Sequence, residues 1–274
     1  MRNRTAGLLI AGLAAVCLAL VCSVAYPFSF AEPHGANPSG ERFGVGDADA
    51  YSATGRIVVE GETRLAFEGA VAADGAWYQR VVQNGVASER YRSPNGSVYR
   101  RFTVRGVEAA EERRAELAES ERVTLLRESR DGDCVTFVTE RTTGPEGEPV
   151  TGTASVFVNN LWVAGYEATS TDASDVTTYR PRADWYGERA PYRLTDVSGT
   201  VRADPETDAV VAANVSWRLT RADSYAQYLL AGVLGTGTTA SRTTFAYDAT
   251  TPELERPAWA TEEGANATSV PGGC

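Results

Sequence analysis

Residues 197–219 read VSGTVRADPETDAVVAANVSWRL, and this stretch decides the fold. Asp204-Pro205-Glu206-Thr207-Asp208 is built from residues that favour turns. After it, Val211, Ala213, Val215, Trp217 and Leu219 alternate with Asn214, Ser216 and Arg218. A period of two places one set on each face of a strand. The segment therefore reads as a hairpin with one apolar face and one polar face.

Working outward, the same alternation recurs in residues 64–71, with Leu65, Phe67 and Val71 on one face. Further strands are expected over 52–60, 76–83, 86–92, 97–105, 134–141, 152–158, 161–168 and 238–247. The connections are short, which favours antiparallel hairpins. Two stretches break the pattern. Residues 107–128 are rich in Ala, Glu, Arg and Leu and predict a surface helix with a thin apolar stripe. Glu111 with Arg114, and Arg113 with Glu116, are opposite charges at helical spacing. Residues 223–234 predict a second helix, capped by Asp223 or Ser224 and ended by Gly235. It carries Tyr225, Tyr228, Leu229, Leu230, Val233 and Leu234 and is apolar almost all round, so it is expected to need cover on several sides.

The N-terminus sets the location. From Ala6 to Tyr26 there are 21 residues without a charge, preceded by Arg2 and Arg4. As a helix the run would be about 31 Å long, the thickness of a bilayer's hydrocarbon core. Flanking arginines stay on the cytoplasmic side, so the chain beyond Pro27 is expected outside. Length favours a retained anchor. A cleaved signal peptide is the alternative, with Ser23-Val24-Ala25 or Ser29-Phe30-Ala31 as its cleavage site. Neither Cys17 nor Cys22 follows the pattern of a lipid-modified cysteine. Residues 27–49 read as a tether, 50–260 as a single domain and 261–274 as a disordered tail.

The net charge is -10, from 26 basic and 36 acidic residues, and every basic residue is arginine. Such a surface repels phosphate backbones and argues against nucleic acid as a partner. The lysine-free, acidic composition resembles proteins of salt-loving archaea, whose molar salt would screen the self-repulsion. GC-biased codon usage also trades lysine for arginine. Beyond the N-terminal run the only cysteines are Cys134 and Cys274. They can pair across a very long loop, but the reading favours a half-buried Cys134 and a free terminal thiol. Asn95, Asn214 and Asn266 begin glycosylation sequons, and the register of residues 211–219 turns Asn214 to solvent.

Chemistry-bearing motifs are scarce. The single histidine, His34, sits in the tether, which removes His-dependent triads and His-based metal sites from the domain. There is no Gly-x-Ser-x-Gly elbow and no phosphate-cradling loop. Gly232-Val-Leu-Gly235-Thr-Gly237 follows a helix rather than a strand and reads as a turn. Asp131-Gly132-Asp133 near Glu128 reads as a turn rather than a calcium loop. No catalytic residue, cofactor or metal is expected.

The order of elements carries a resemblance. Hairpin strands are followed by a helix, more strands, and a late apolar helix before a final strand. The segments Val197 to Asp208, Thr244-Phe-Ala-Tyr-Asp248 and Arg256-Pro-Ala-Trp259 fall in this order. The arrangement resembles the lipoprotein-carrier (LolA/LppX-like) superfamily, and within it haloarchaeal surface proteins, although the lipid-modified cysteine is absent. The resemblance implies an α+β fold: a strongly curved antiparallel sheet, an open half-barrel, with one or two helices on or in its concave face. It also implies non-catalytic binding of a lipid or other apolar ligand. Tyr225, Tyr228, Leu229, Leu230 and Trp217 are then the candidates for lining the cavity, with the late helix as plug or lid. The competing expectation is a glycosylated structural or interaction protein of the cell surface without a cavity. The sequence names no protein partner.

Overall fold

The computed structural model describes residues 43–141, 148–171, 176–186, 192–222 and 225–261. Its framework is one open, antiparallel sheet. The strands are β1 (Tyr51–Val59), β2 (Glu62–Val71), β3 (Trp77–Gln83), β4 (Val86–Arg92), β5 (Val98–Arg105), β6 (Thr124–Asp131), β7 (Cys134–Arg141), β8 (Tyr166–Thr171), β9 (Thr177–Pro181), β10 (Trp185–Tyr186), β11 (Tyr192–Ala203), β12 (Val210–Arg221) and β13 (Thr238–Asp248). The described helices are α1 (Val107–Glu119), α2 (Val150–Leu161) and α3 (Tyr225–Leu234), with a 3-10 turn at Ala258–Ala260. The strand order is β6-β7-β5-β4-β3-β2-β1-β13-β12-β11-β9-β8, with β10 paired only to β11. The first strand thus pairs with the last, while β6 and β8 form the open edges.

Neighbouring strands mostly follow one another in sequence, as short turns dictate. The exceptions explain the helices. β5 and β6 both pair antiparallel with β7, so they run parallel, and α1 is the crossover between them. The chain then leaves β7 near one edge and re-enters at β8 on the other. Helix α2 lies on that route, across the face of β1, β2, β3 and β13.

The hairpin at residues 197–219 forms as expected. Ala213, Val215 and Trp217 are buried and Asn214 is exposed. Their face, the inner face, is packed by α2. Val150, Ala154, Phe157, Val158 and Leu161 are all buried, spaced at 4, 3, 1 and 3 residues, as a helix with one buried stripe requires. Two glycines let the helix approach. A Cβ on Gly55 would stand 2.6 Å from the Phe157 ring, and one on Gly69 2.6 Å from Val150. Phe157 stacks on Phe67 at 5.7 Å. Polar contacts fix the register: Tyr51 Oη lies 2.6 Å from Thr151 Oγ1, and Gln79 Nε2 donates to Thr153 Oγ1 at 2.8 Å. Glu148 caps the helix, accepting from the Thr151 backbone N–H at 3.1 Å and from its hydroxyl at 2.7 Å.

Several expectations need correction. Residues 152–158 are helix, not strand, because burial of one helical stripe outweighs their β-branched composition. The helix starting at Val107 stops at Glu119, and its second half is β6. Residues 161–168 begin as the end of α2 and become strand only at Tyr166. The last part of the supposed tether is docked: Phe43 is 5 % exposed and meets Tyr166 and Tyr179 edge-on, and Gly44 bonds Asp208 and Val210. Cys134 is disulfide-bonded rather than free; Cys17, Cys22 and Cys274 lie outside the described residues, as does the run from Ala6 to Tyr26. Among the described residues no helix is long and apolar enough to cross a membrane.

Candidate functional site

Helix α3 joins β12 to β13 and packs beside β12. Ala, Gln and Leu favour it locally. It ends where Thr236 N–H bonds back to the Ala231 carbonyl at 3.1 Å and Gly235 takes φ +65°, the left-handed turn that glycine accepts. Tyr228 anchors it edge-on to Trp185, with ring centroids 5.3 Å apart, and Arg193 lies 5.8 Å from the same indole.

Tyr228 and Leu229 border a surface groove of about 610 Å³ with Arg218, Thr220, Thr238 and Glu60. Arg218 and Thr220 point to the face opposite Trp217, so α3 belongs to the outer face. Trp217 is 3 % exposed within the core around α2. The five cavity candidates therefore do not line one hollow. Trp217 serves the inner core, and Tyr228 and Leu229 face the outer groove. Leu230 is exposed, and the Tyr225 side chain lies outside what is described.

The expected cover over α3 is missing among the described residues. Leu229 is 49 % exposed, Leu230 55 %, Val233 83 % and Leu234 67 %. At 100° per residue these four lie on one side of the helix, with Tyr228 and Ala231 on the other, and Leu229 and Val233 also border the groove. Scattered single apolar residues on a surface need no explanation, but a contiguous apolar stripe does. Sequence reasoning found the helix and its apolarity. The outer-face placement depends on tertiary packing and had no local signal.

Elsewhere the outer face also carries charged side chains. Arg56, Arg80, Arg242 and Glu68 border an open trough over β1, β2, β3 and β13. Beside it Glu89, 5 % exposed, is bridged by Arg101 at 2.7 Å and Arg80 at 3.4 Å. The C-terminal segment covers this corner: Trp259 packs with Tyr91, Tyr99 and Val138, and Arg256 lies 4.3 Å from the Tyr99 ring. Burial raises the pKa of Tyr51 and of Tyr78 to about 12, with Glu148 adding to the first, and Glu89 and Glu68 to the second.

Asn95 is exposed in the β4–β5 turn, and Asn214 is exposed on β12 beside Arg242, whose Nε donates to its Oδ1 at 3.1 Å. Asn266 lies outside the described residues. Asp131-Gly132-Asp133 is the β6–β7 turn, and no group of three potential metal ligands gathers among the described residues. No protein-family model matches this sequence, and neither curated proteins nor solved structures provide a significant match.

Proposed function

We propose that the protein is a non-catalytic lipid-binding module, tethered on the extracytoplasmic side of a membrane, and that α3 is the part that meets lipid. One observation carries this reading: the uncovered stripe Leu229, Leu230, Val233 and Leu234 on an ordered helix. Exposed apolar area of this kind gains free energy when it enters an apolar phase. The uncharged run from Ala6 to Tyr26 supplies the membrane. In this reading the sheet is a curved half-barrel, with α2 in its hollow and α1 beside it, as in the lipoprotein carriers that the order of elements resembles. Because α2 fills the inner face, lipid is engaged at the outer face and is not enclosed.

Chain geometry permits contact with the membrane that holds the anchor. Gly44 bridges to Ala209, next to the start of β12, and α3 follows its far end. Twelve strand residues separate them by about 40 Å. Residues 27–42 span at most about 55 Å when extended, and about 20–24 Å when relaxed.

The test starts from the full chain in vesicles. Proteolysis within residues 27–42 frees the folded body from its anchor. The wild-type body is expected to stay on the vesicles in molar salt, and the body with Leu229→Ser and Leu230→Ser to leave them. Release of both bodies alike would reject lipid contact by α3. A second reading, a surface protein whose α3 docks on another protein, is favoured by one observation: the stripe and Gly44 sit at opposite ends of β12. Release of the wild-type body, with retention on intact cell envelopes, would select it.

A further inference from the structure

We propose that strand β6 pairs antiparallel with β6 of a second copy of this chain, joining two sheets into one across a two-fold axis at Ser129. This surface is separate from α3 and stands whether or not α3 meets lipid.

β6 is an open edge, paired only with β7. Its hairpin fixes which main-chain groups are already used. Asp131 and Cys134 flank the tight turn Gly132-Asp133, in which Gly132 takes φ +59°. Residues flanking such a turn exchange both main-chain hydrogen bonds, and bonded pairs then recur at every second residue. Asp131, Ser129 and Arg127 therefore bond to β7. The N–H and C=O groups of Glu128 and Arg130 point out of the edge, and nothing among the described residues bonds them. A register shift between Leu125 and Arg127 ends the regular run. The usable edge is thus Arg127-Glu-Ser-Arg-Asp131. Outward-facing groups in a row are a template for another strand.

Symmetry and charge choose the partner. In a two-fold antiparallel pair, open groups must face open groups, so the axis passes through a residue and not between two. Ser129 is the one uncharged residue of the run. An axis at any of the others would set a charge against its own copy, which destabilises a sheet. With the axis at Ser129, Glu128 faces Arg130 of the partner subunit, and Arg127 faces Asp131 of the partner subunit. Charged side chains usually blunt an edge strand; here their order is self-complementary at a single register. The pairing does not require free charges. Arg127 donates to the Trp259 carbonyl at 3.1 Å, Glu128 accepts from Arg114 at 2.6 and 2.9 Å, and Arg130 donates to the Gly132 carbonyl at 3.0 Å. Main-chain groups supply about four new hydrogen bonds across the axis, and the side chains exclude the wrong registers. The other open edge, β8, carries only Glu167 as a charge. It has no matching order, and pairing of β6 with β8 would build an unclosed chain of copies, whereas the two-fold pair closes.

The experiment follows the full-length protein in neutral detergent by sedimentation velocity over a range of concentrations. The wild type should form a concentration-dependent dimer. Glu128→Arg and Arg130→Glu should each weaken self-association at least tenfold, because each sets like charges opposite one another. An equimolar mixture of the two variants should restore dimers, since every substituted side chain then meets its opposite. Ser129→Cys should give a reducible cross-linked dimer on mild oxidation: residues on the axis form a non-hydrogen-bonded pair with Cα atoms about 4.5 Å apart, within disulfide range. Thr124→Cys, beyond the register shift, should not. A wild type that stays monomeric would overturn the proposal. So would single variants that dimerise like the wild type, which would place association on another surface, and weakened variants whose mixture stays monomeric. Dimers that appear only when residues 262–274 are removed would give the edge to the chain's own C-terminus and overturn it equally.

Discussion

Replacing Gly55 with Ala tests how α2 is seated. The new Cβ would lie 2.6 Å from both Cγ and Cδ1 of Phe157, about 1 Å closer than comfortable carbon contact. Phe157 is fully buried and stacked on Phe67, so the ring cannot swing into solvent. Either α2 or β1 must shift. Overpacking of this kind costs about 1–3 kcal/mol, and the better strand propensity of alanine returns less than about 1. A net loss near 2 kcal/mol lowers the melting temperature by about 4–8 °C in a body of this size. Phe157→Ala removes the clashing Cγ and Cδ atoms at a cost of its own. In the double variant the two losses should therefore fail to add, by 1 kcal/mol or more. Denaturant unfolding of the four proteins in high salt measures this. A Gly55→Ala protein as stable as wild type, or strictly additive losses, would refute the packing of α2 against β1.

Other outcomes follow from the same structure. Leu229→Ser with Leu230→Ser should cost under about 1 kcal/mol of stability, since both side chains are half exposed, yet weaken vesicle binding by tenfold or more per leucine; a loss of 2–5 kcal/mol each would mark them as core. Tyr51 and Tyr78 titrate near pH 12 when folded and near 10 when unfolded. Their neutral forms are favoured by the fold, so this contribution is complete below pH 10 and is lost as pH rises through 12. Absorbance titration should show late-titrating tyrosines, and uniform titration near 10 would contradict their burial. Non-reducing digestion should join the Cys134 peptide to that of Cys274, the other cysteine beyond the N-terminal run. Recovery of Cys134 as a free thiol would contradict the bridge.

Local alternation made the sheet legible. At residues 197–219 the turn chemistry and the Trp217 face were both readable, because a sheet with one wet face writes its period into the chain. β6 was hidden for the opposite reason: all its side chains but Arg127 are exposed, so no apolar period marks it. Helix α2 was hidden by composition, since Thr, Val and Gly are poor helix formers. The spacing of Val150, Ala154, Phe157, Val158 and Leu161, after Glu148 and Pro149, was the available signal. The uncovered side of α3 was not legible, because apolarity all round normally means burial.

Lipid contact by α3 is tested most directly by reconstituting the full chain in bilayers that contain photoactivatable acyl chains, then mapping the adducts by mass spectrometry. Adducts on Leu229, Leu230, Val233 and Leu234, lost in the double serine variant, are the expected result. Adducts confined to residues 6–26, with α3 unmodified, would contradict it.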